Sequence, residues 1–168
     1  LIQYVNVSYT GAKAGTGLYI NATSSSSKEN NDNNIIRVDF SNRTYGIRYV
    51  RYNSGWYGSF RRHNITDSNF ENNTYAITID NSRQYDHNIT GNIFENYSTK
   101  AISLTSTQNS TGHYLNYNDF INTNTVTNIT ANTMADSNYN YWSDHLLCSE
   151  SYSFTGGSDN SPACTQIN

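Results

Sequence analysis

An all-β solenoid, a chain wound into coils that stack on one another, is predicted by three features of the sequence. Phe40, Phe70, Phe94 and Phe120 are spaced 30, 24 and 26 residues apart. Each has a branched aliphatic five residues earlier (Ile35, Ile65, Ile89, Leu115) and an asparagine two later (Asn42, Asn72, Asn96, Asn122). Self-similarity at such a period marks stacked repeats. A second apolar pair follows at a nearly fixed offset: Ile47 with Tyr49, Ile77 with Ile79, Ile102 with Leu104, Val126 with Ile129. No segment carries the i, i+3, i+4, i+7 apolar spacing of a helix, and the abundant Thr, Tyr, Val and Ile suit a pleated surface.

Taken from the N-terminus, Tyr4-Val5-Asn6-Val7-Ser8-Tyr9 and Gly17-Leu18-Tyr19-Ile20 read as a first coil, with Tyr9 in the phenylalanine position. The polar run from Thr23 to Asn34 is then a loop pushed outwards. Four aligned coils follow, each read as two short strands with one buried face. Small residues precede three of the second apolar pairs: Gly46, Ala76 and Ala101. The segment from Asn53 to Gly58 reads as an insertion, and its Trp56 and Tyr57, with Phe60, form a candidate patch for sugar or protein stacking. The plainer alternative lays these aromatics over the side of the solenoid.

The spacing of five between Ile65 and Phe70 is odd, whereas two inward residues on one unbroken strand stand an even number apart. The chain must therefore turn between them, where asparagine tolerates a left-handed conformation. Asn92 and Asn118, two before their phenylalanines, fit that corner; Ser68 and Val38 fit it less well. The asparagine two after each phenylalanine fits a second corner, where stacked amides could hydrogen-bond as a ladder. His63, His87 and His113 each lie seven residues before a phenylalanine, so they should form a column.

Composition narrows the function. Net charge is −3 and only 14% of residues are charged, which argues against a nucleic-acid surface. Arg61-Arg62, with Arg48 and Arg51, is the only basic cluster and reads as solvated turns. No apolar run reaches the roughly 18 residues of a membrane helix. With no visible signal peptide and Leu1 in first place, the chain reads as a mature or excised segment. Nine Asn-X-Ser/Thr sequons occur, at Asn6, Asn21, Asn42, Asn64, Asn72, Asn88, Asn96, Asn109 and Asn128. An Asn- and Thr-rich chain produces some by chance, yet their density with two cysteines fits an exported glycoprotein. Cys148 and Cys164 would close a short disulfide loop worth roughly 3 kcal/mol in the chain-entropy model. Asn42, Asn72 and Asn96 would escape modification if their amides were used within a ladder.

The segments His63-Asn64-Ile65-Thr66-Asp67-Ser68-Asn69-Phe70-Glu71-Asn72 and His87-Asn88-Ile89-Thr90-Gly91-Asn92-Ile93-Phe94-Glu95-Asn96, with Asn138-Tyr139-Asn140-Tyr141-Trp142-Ser143-Asp144, resemble the NosD-type, disaggregatase-like repeats of archaeal and bacterial surface proteins. The resemblance implies a right-handed parallel β-helix, read here as about five coils over residues 1–145, and Cys148 with Cys164 is expected to close a disulfide-bounded tail over 146–168. The resemblance is close over residues 34–144 and loose before. After Asp144 the chain departs from the pattern, with a Ser/Gly-rich tail replacing the usual acidic continuation. The group includes carbohydrate-active enzymes, surface-layer proteins and adhesins, so the fold it implies does not select one activity.

Two constellations could carry chemistry. Glu71 and Glu95 occupy equivalent positions in adjacent coils, near the separation that glycoside hydrolysis asks of two carboxylates. Ser41 and Ile121 at the same position favour plain corner residues instead. Asp39 and Asp119 share another column but lie two coils further apart. The histidine column, with Asp67 and Asp86 beside it, has ligand types suited to zinc or copper, but a straight file does not converge on one point. No phosphate-binding glycine loop, nucleophile elbow or paired CxxC is present. The expectation is a non-enzymatic, extracellular, glycosylated surface protein without catalytic residues, metal or cofactor, possessing no membrane span and self-associating into a filament or layer. The alternative is a polysaccharide-binding or polysaccharide-degrading β-helix.

Overall fold

The computed structural model describes residues 1–8, 10–22, 30–51, 59–80, 83–105, 112–121, 129–131, 134–145 and 149–167. Tyr9, Trp56, Tyr57, Asn109, Asn122, Val126, Asn128 and Cys148 lie outside them, as do the side chains of Asn21, Arg51 and Ile129.

Within these residues the chain is an all-β solenoid with no helix, and hence none long and apolar enough to cross a membrane. Three parallel sheets run along the stack. The first consists of Ile2–Gln3, Asn34–Ile36, Asn64–Thr66, Asn88–Thr90, His113–Asn116 and Met134–Asn138, hydrogen-bonded in that order. The second consists of Asn6–Val7, Asp39–Ser41, Asn69–Glu71, Ile93–Glu95, Asp119–Ile121 and Tyr141–Trp142. Thr16–Ala22, Tyr45–Arg51, Tyr75–Asp80, Lys100–Thr105 and Ile129–Ala131 form the third. A short fourth column pairs Asn30–Asn31, Ser59–Arg61 and Arg83–Tyr85. A coil thus carries three principal strands, not two: the turn inferred from the odd spacing sends the Ile strand and the Phe strand to different sheets.

Register follows the sequence repeat. Phe70 pairs with Phe40 on one side and Phe94 on the other, and Phe94 pairs with Phe120. Their rings stack at 5.2, 5.1 and 4.9 Å between centroids, tilted by no more than 15°. All four are buried, each contributing about 1.5–3 kcal/mol through lost water contact. Ile35, Ile65, Ile89 and Leu115 form a second buried file. Gly46 allows close approach of the third sheet, since a Cβ there would meet Ala76 O at 2.7 Å and Phe70 Cδ1 at 2.9 Å.

The ends need two revisions. At the N-terminus Val7, not Tyr9, is the partner of Phe40, and Ile2 pairs with Ile35. Val5, Val7 and Tyr9 alternate evenly, so the sequence offered three inward positions and the spacing of five from Ile2 selects Val7. At the other end Trp142 takes the phenylalanine position, pairing with Phe120 and stacking on it at 4.2 Å. An antiparallel hairpin of Tyr152–Phe154 and Gly157–Asp159 then covers it, with the Tyr152 ring 4.1 Å from that of Trp142.

A buried amide ladder runs through the corner between the first two sheets. The Val38 N–H donates to Ser68 Oγ at 3.1 Å, and the Ser68 N–H to Asn92 Oδ1 at 3.0 Å. Both the backbone N–H and Nδ2 of Asn92 donate to Asn118 Oδ1 at 3.0 Å, and those of Asn118 to Asn140 Oδ1 at 3.0 Å. Nδ2 of Asn92, Asn118 and Asn140 also donates back to the carbonyls of Ile65, Ile89 and Leu115. Asp159 ends the file: its Oδ2 accepts from Asn140 N, Asn140 Nδ2 and Trp142 Nε1 at 2.9–3.0 Å. The left-handed residue of this corner lies one position before the ladder: Arg37, Asp67, Gly91, Tyr117 and Tyr139 have φ of 54, 51, 69, 56 and 59°. Such backbone costs of order 1–3 kcal/mol per non-glycine residue and persists where its surroundings over-determine it. Replacing Asn118 with leucine is expected to destabilise the fold by at least about 3 kcal/mol in urea unfolding, because buried donors of Asn92 lose their acceptor.

Candidate functional site

The three histidines stack as the sequence predicts. Ring centroids of His63 and His87 lie 5.1 Å apart, those of His87 and His113 5.0 Å, and Tyr49 continues the file at 4.8 Å from His63. All three are buried. The Asn33 N–H donates to His63 Nδ1 at 3.2 Å and the His63 N–H to His87 Nδ1 at 3.4 Å. An accepting Nδ1 in a neutral ring puts the proton on Nε2. Burial pushes His87 well below its ordinary value, with His113 and His63 adding to the effect, and lowers His113 to about 4. His63 and His87 are stacked spacers with Nδ1 committed to backbone, and burial keeps His87 and His113 neutral. Among the described residues no group of three or more His, Cys, Asp or Glu side chains could hold a metal ion.

Glu71 and Glu95 are register partners on the outer face of the second sheet, flanked by Ser41 and Ile121. Each accepts a long hydrogen bond, 3.4 Å, from Nδ2 of the asparagine that follows it. Two carboxylates one rung apart, about 4.8 Å, approach the roughly 5–5.5 Å of a retaining glycosidase pair. Asp39 and Asp119 share a file with Asn69 and Ile93 between them, and the buried Asp119 carboxylate accepts the Ile167 N–H at 2.9 Å.

The asparagines after the phenylalanines do form the second corner, with φ of 57, 53 and 53° at Asn42, Asn72 and Asn96. Their amides do not build the expected ladder; Asn72 and Asn96 turn to their own glutamates instead, and all three are half-buried. The internal ladder belongs to the other corner. Asn73, which the sequence reading passed over, adds a buried link: its Oδ1 accepts the Arg43 N–H at 3.0 Å and its Nδ2 donates to Phe40 O at 2.9 Å.

Phe60 is fully buried, 5.2 Å from Tyr49, so it belongs to the core and not to a surface patch. The arginines pair locally: Arg62 makes a forked contact with Asp32 at 2.7 and 3.0 Å, Arg61 lies over Tyr85, and Arg48 lies over Tyr45 and beside Asp80. Cys164 lies in the exposed tail, and no free thiol occurs among the described residues. The exposed aromatics are elsewhere: Tyr117 and Tyr139 stack at 5.3 Å at the corner after the first sheet, and Tyr114 lies on that sheet's outer face. Asp159 was missed because its Gly/Ser-rich surroundings resemble a turn. Asn140, two before Trp142 as Asn118 is two before Phe120, was the available signal.

Because folding depresses His87 and His113, the folded state binds fewer protons than the unfolded chain between their two values. Stability is therefore full above about pH 6.5, the unperturbed histidine value, and falls as pH drops toward about 4. For His113 alone the expected loss is about 3 kcal/mol, read as a lower urea midpoint at pH 4.5 than at pH 7. An unchanged midpoint would contradict the buried neutral column.

Comparison with known proteins finds no matching family model, no matching curated protein and no matching solved structure.

Proposed function

We propose that this chain is a non-enzymatic, extracellular surface protein, a rigid rod bearing N-linked glycans and associating through its first coil. One observation carries the reading: the side chains best suited to chemistry face inward and hold the stack together, while the described sequon acceptors face outward. The histidines and the Asn92–Asn118–Asn140 file are buried, whereas Asn6 is exposed and Asn42, Asn64, Asn72, Asn88 and Asn96 are partly so. The resemblance to NosD-type surface repeats agrees with this reading. A Cys148–Cys164 disulfide would secure the tail.

Among the described residues, Ile2–Gln3, Asn6–Val7 and Thr16–Ala22 each have a strand partner on one side only, as do Ile129–Ala131 and Met134–Asn138 at the other end, where the hairpin of residues 152–159 packs on Trp142. Leu1, Tyr4, Val5 and Tyr19 are exposed beside the N-terminal strands. An unpaired edge with apolar neighbours recruits another strand, and a second copy of the chain is the occupant proposed. Light scattering at rising concentration should show association, and intact mass should show added glycan. A strictly monomeric, unmodified protein from a glycosylating host would overturn the reading.

The rival is a polysaccharide-processing β-helix, favoured by the adjacency of Glu71 and Glu95. Turnover of acidic polysaccharides abolished by Glu71→Gln or Glu95→Gln would establish it. Absent or undiminished turnover would remove these residues as catalysts.

A further inference from the structure

We propose that Asn88 carries a glycan whose first sugar packs on the ring of Tyr114, so that the protein's own surface aromatic is the binding site for its own modification. The proposal rests on the glycosylation proposed above and selects one acceptor.

Asn88 and Tyr114 are direct register partners on neighbouring strands of the first sheet. Their side chains therefore leave the same face about 4.8 Å apart, roughly the thickness of one ring layer. Tyr114 is 43% exposed although the residues on either side of it, His113 and Leu115, are buried. Its ring thus has an open surface at the point where a sugar on Asn88 would begin. A pyranose presents C–H groups from one face, and an exposed aromatic ring beside it is a matching partner.

The amide of Asn88 is also prepared for attachment. Thr90, the hydroxyl residue of the same sequon, donates its Oγ1 proton to Asn88 Oδ1 at 2.6 Å. That leaves Nδ2 outward, with no hydrogen bond among the described residues. The neighbouring acceptors differ: Asn64 commits Nδ2 to Asn34 Oδ1 at 2.7 Å, and Asn72 and Asn96 direct theirs to glutamates. Attachment forms a bond between Asn88 Nδ2 and the anomeric carbon of a phosphate-activated sugar. The phosphate leaves with the bonding pair, and the amide nitrogen releases one proton.

The test is a cycle of Asn88→Gln and Tyr114→Ala on the full chain from a glycosylating host, read by peptide mass mapping and thermal unfolding. The expectation is an occupied Asn88 and a Tyr114→Ala loss in Tm that is about 2–4 °C larger with the glycan than in the Asn88→Gln background. Tyr114→Phe should keep the coupling, because it keeps the ring. An unoccupied Asn88 would overturn the glycan reading at this site, and the inference with it. An occupied Asn88 with equal losses in both backgrounds would overturn the sugar–Tyr114 contact alone.

Discussion

A buried amide that must meet another amide one coil away is the constraint on which the rest of this structure depends. Each of Asn92 and Asn118 offers two N–H groups to a single oxygen on the next coil, inside a corner that excludes water. A slip by one residue would leave those donors without acceptors, at about 1–3 kcal/mol each. Apolar packing alone tolerates sliding, since one isoleucine fits against another in many ways. The ladder does not, so it converts a greasy stack into one register.

Other features follow from that fixed register. Phenylalanines are brought ring over ring, and the histidines likewise, with burial keeping His87 and His113 uncharged. The left-handed corner is held even at Arg37, Tyr117 and Tyr139, where the local preference is against it. The direction of the ladder also explains its end. From one ladder residue to the next the donation runs toward the C-terminal side, and Asp159 accepts there with nothing to donate onward.

Much of this was legible in sequence because a stack repeats its side chains as faithfully as its backbone. The Phe period, the spacing of five and the three histidines specified the files before any coordinates. Three things were hidden for physical reasons. Two asparagines flank each of Phe94 and Phe120 at equal distance, and for Asn92 and Asn96 only burial separates the one inside the ladder from the one on the outer corner. A turn between Ile and Phe changes the sheet without changing composition, so two strands were read where three exist. Trp142 disguised the last position of the phenylalanine file, as any large flat ring can fill it. The surface was the least legible part: Tyr114 acquires meaning only from lying beside Asn88, 26 residues earlier.

Interior and exterior are thus divided between architecture and recognition. Inward residues are bound to their copies above and below, while the sequon asparagines and several tyrosines lie on the outside. Whether like residues truly lie over one another is open to direct observation by NMR. Ring-to-ring nuclear Overhauser contacts should link Phe40 to Phe70, Phe70 to Phe94 and Phe94 to Phe120, with none between Phe40 and Phe94. Rings that instead contact unrelated side chains, or that skip along the series, would contradict the stacked arrangement.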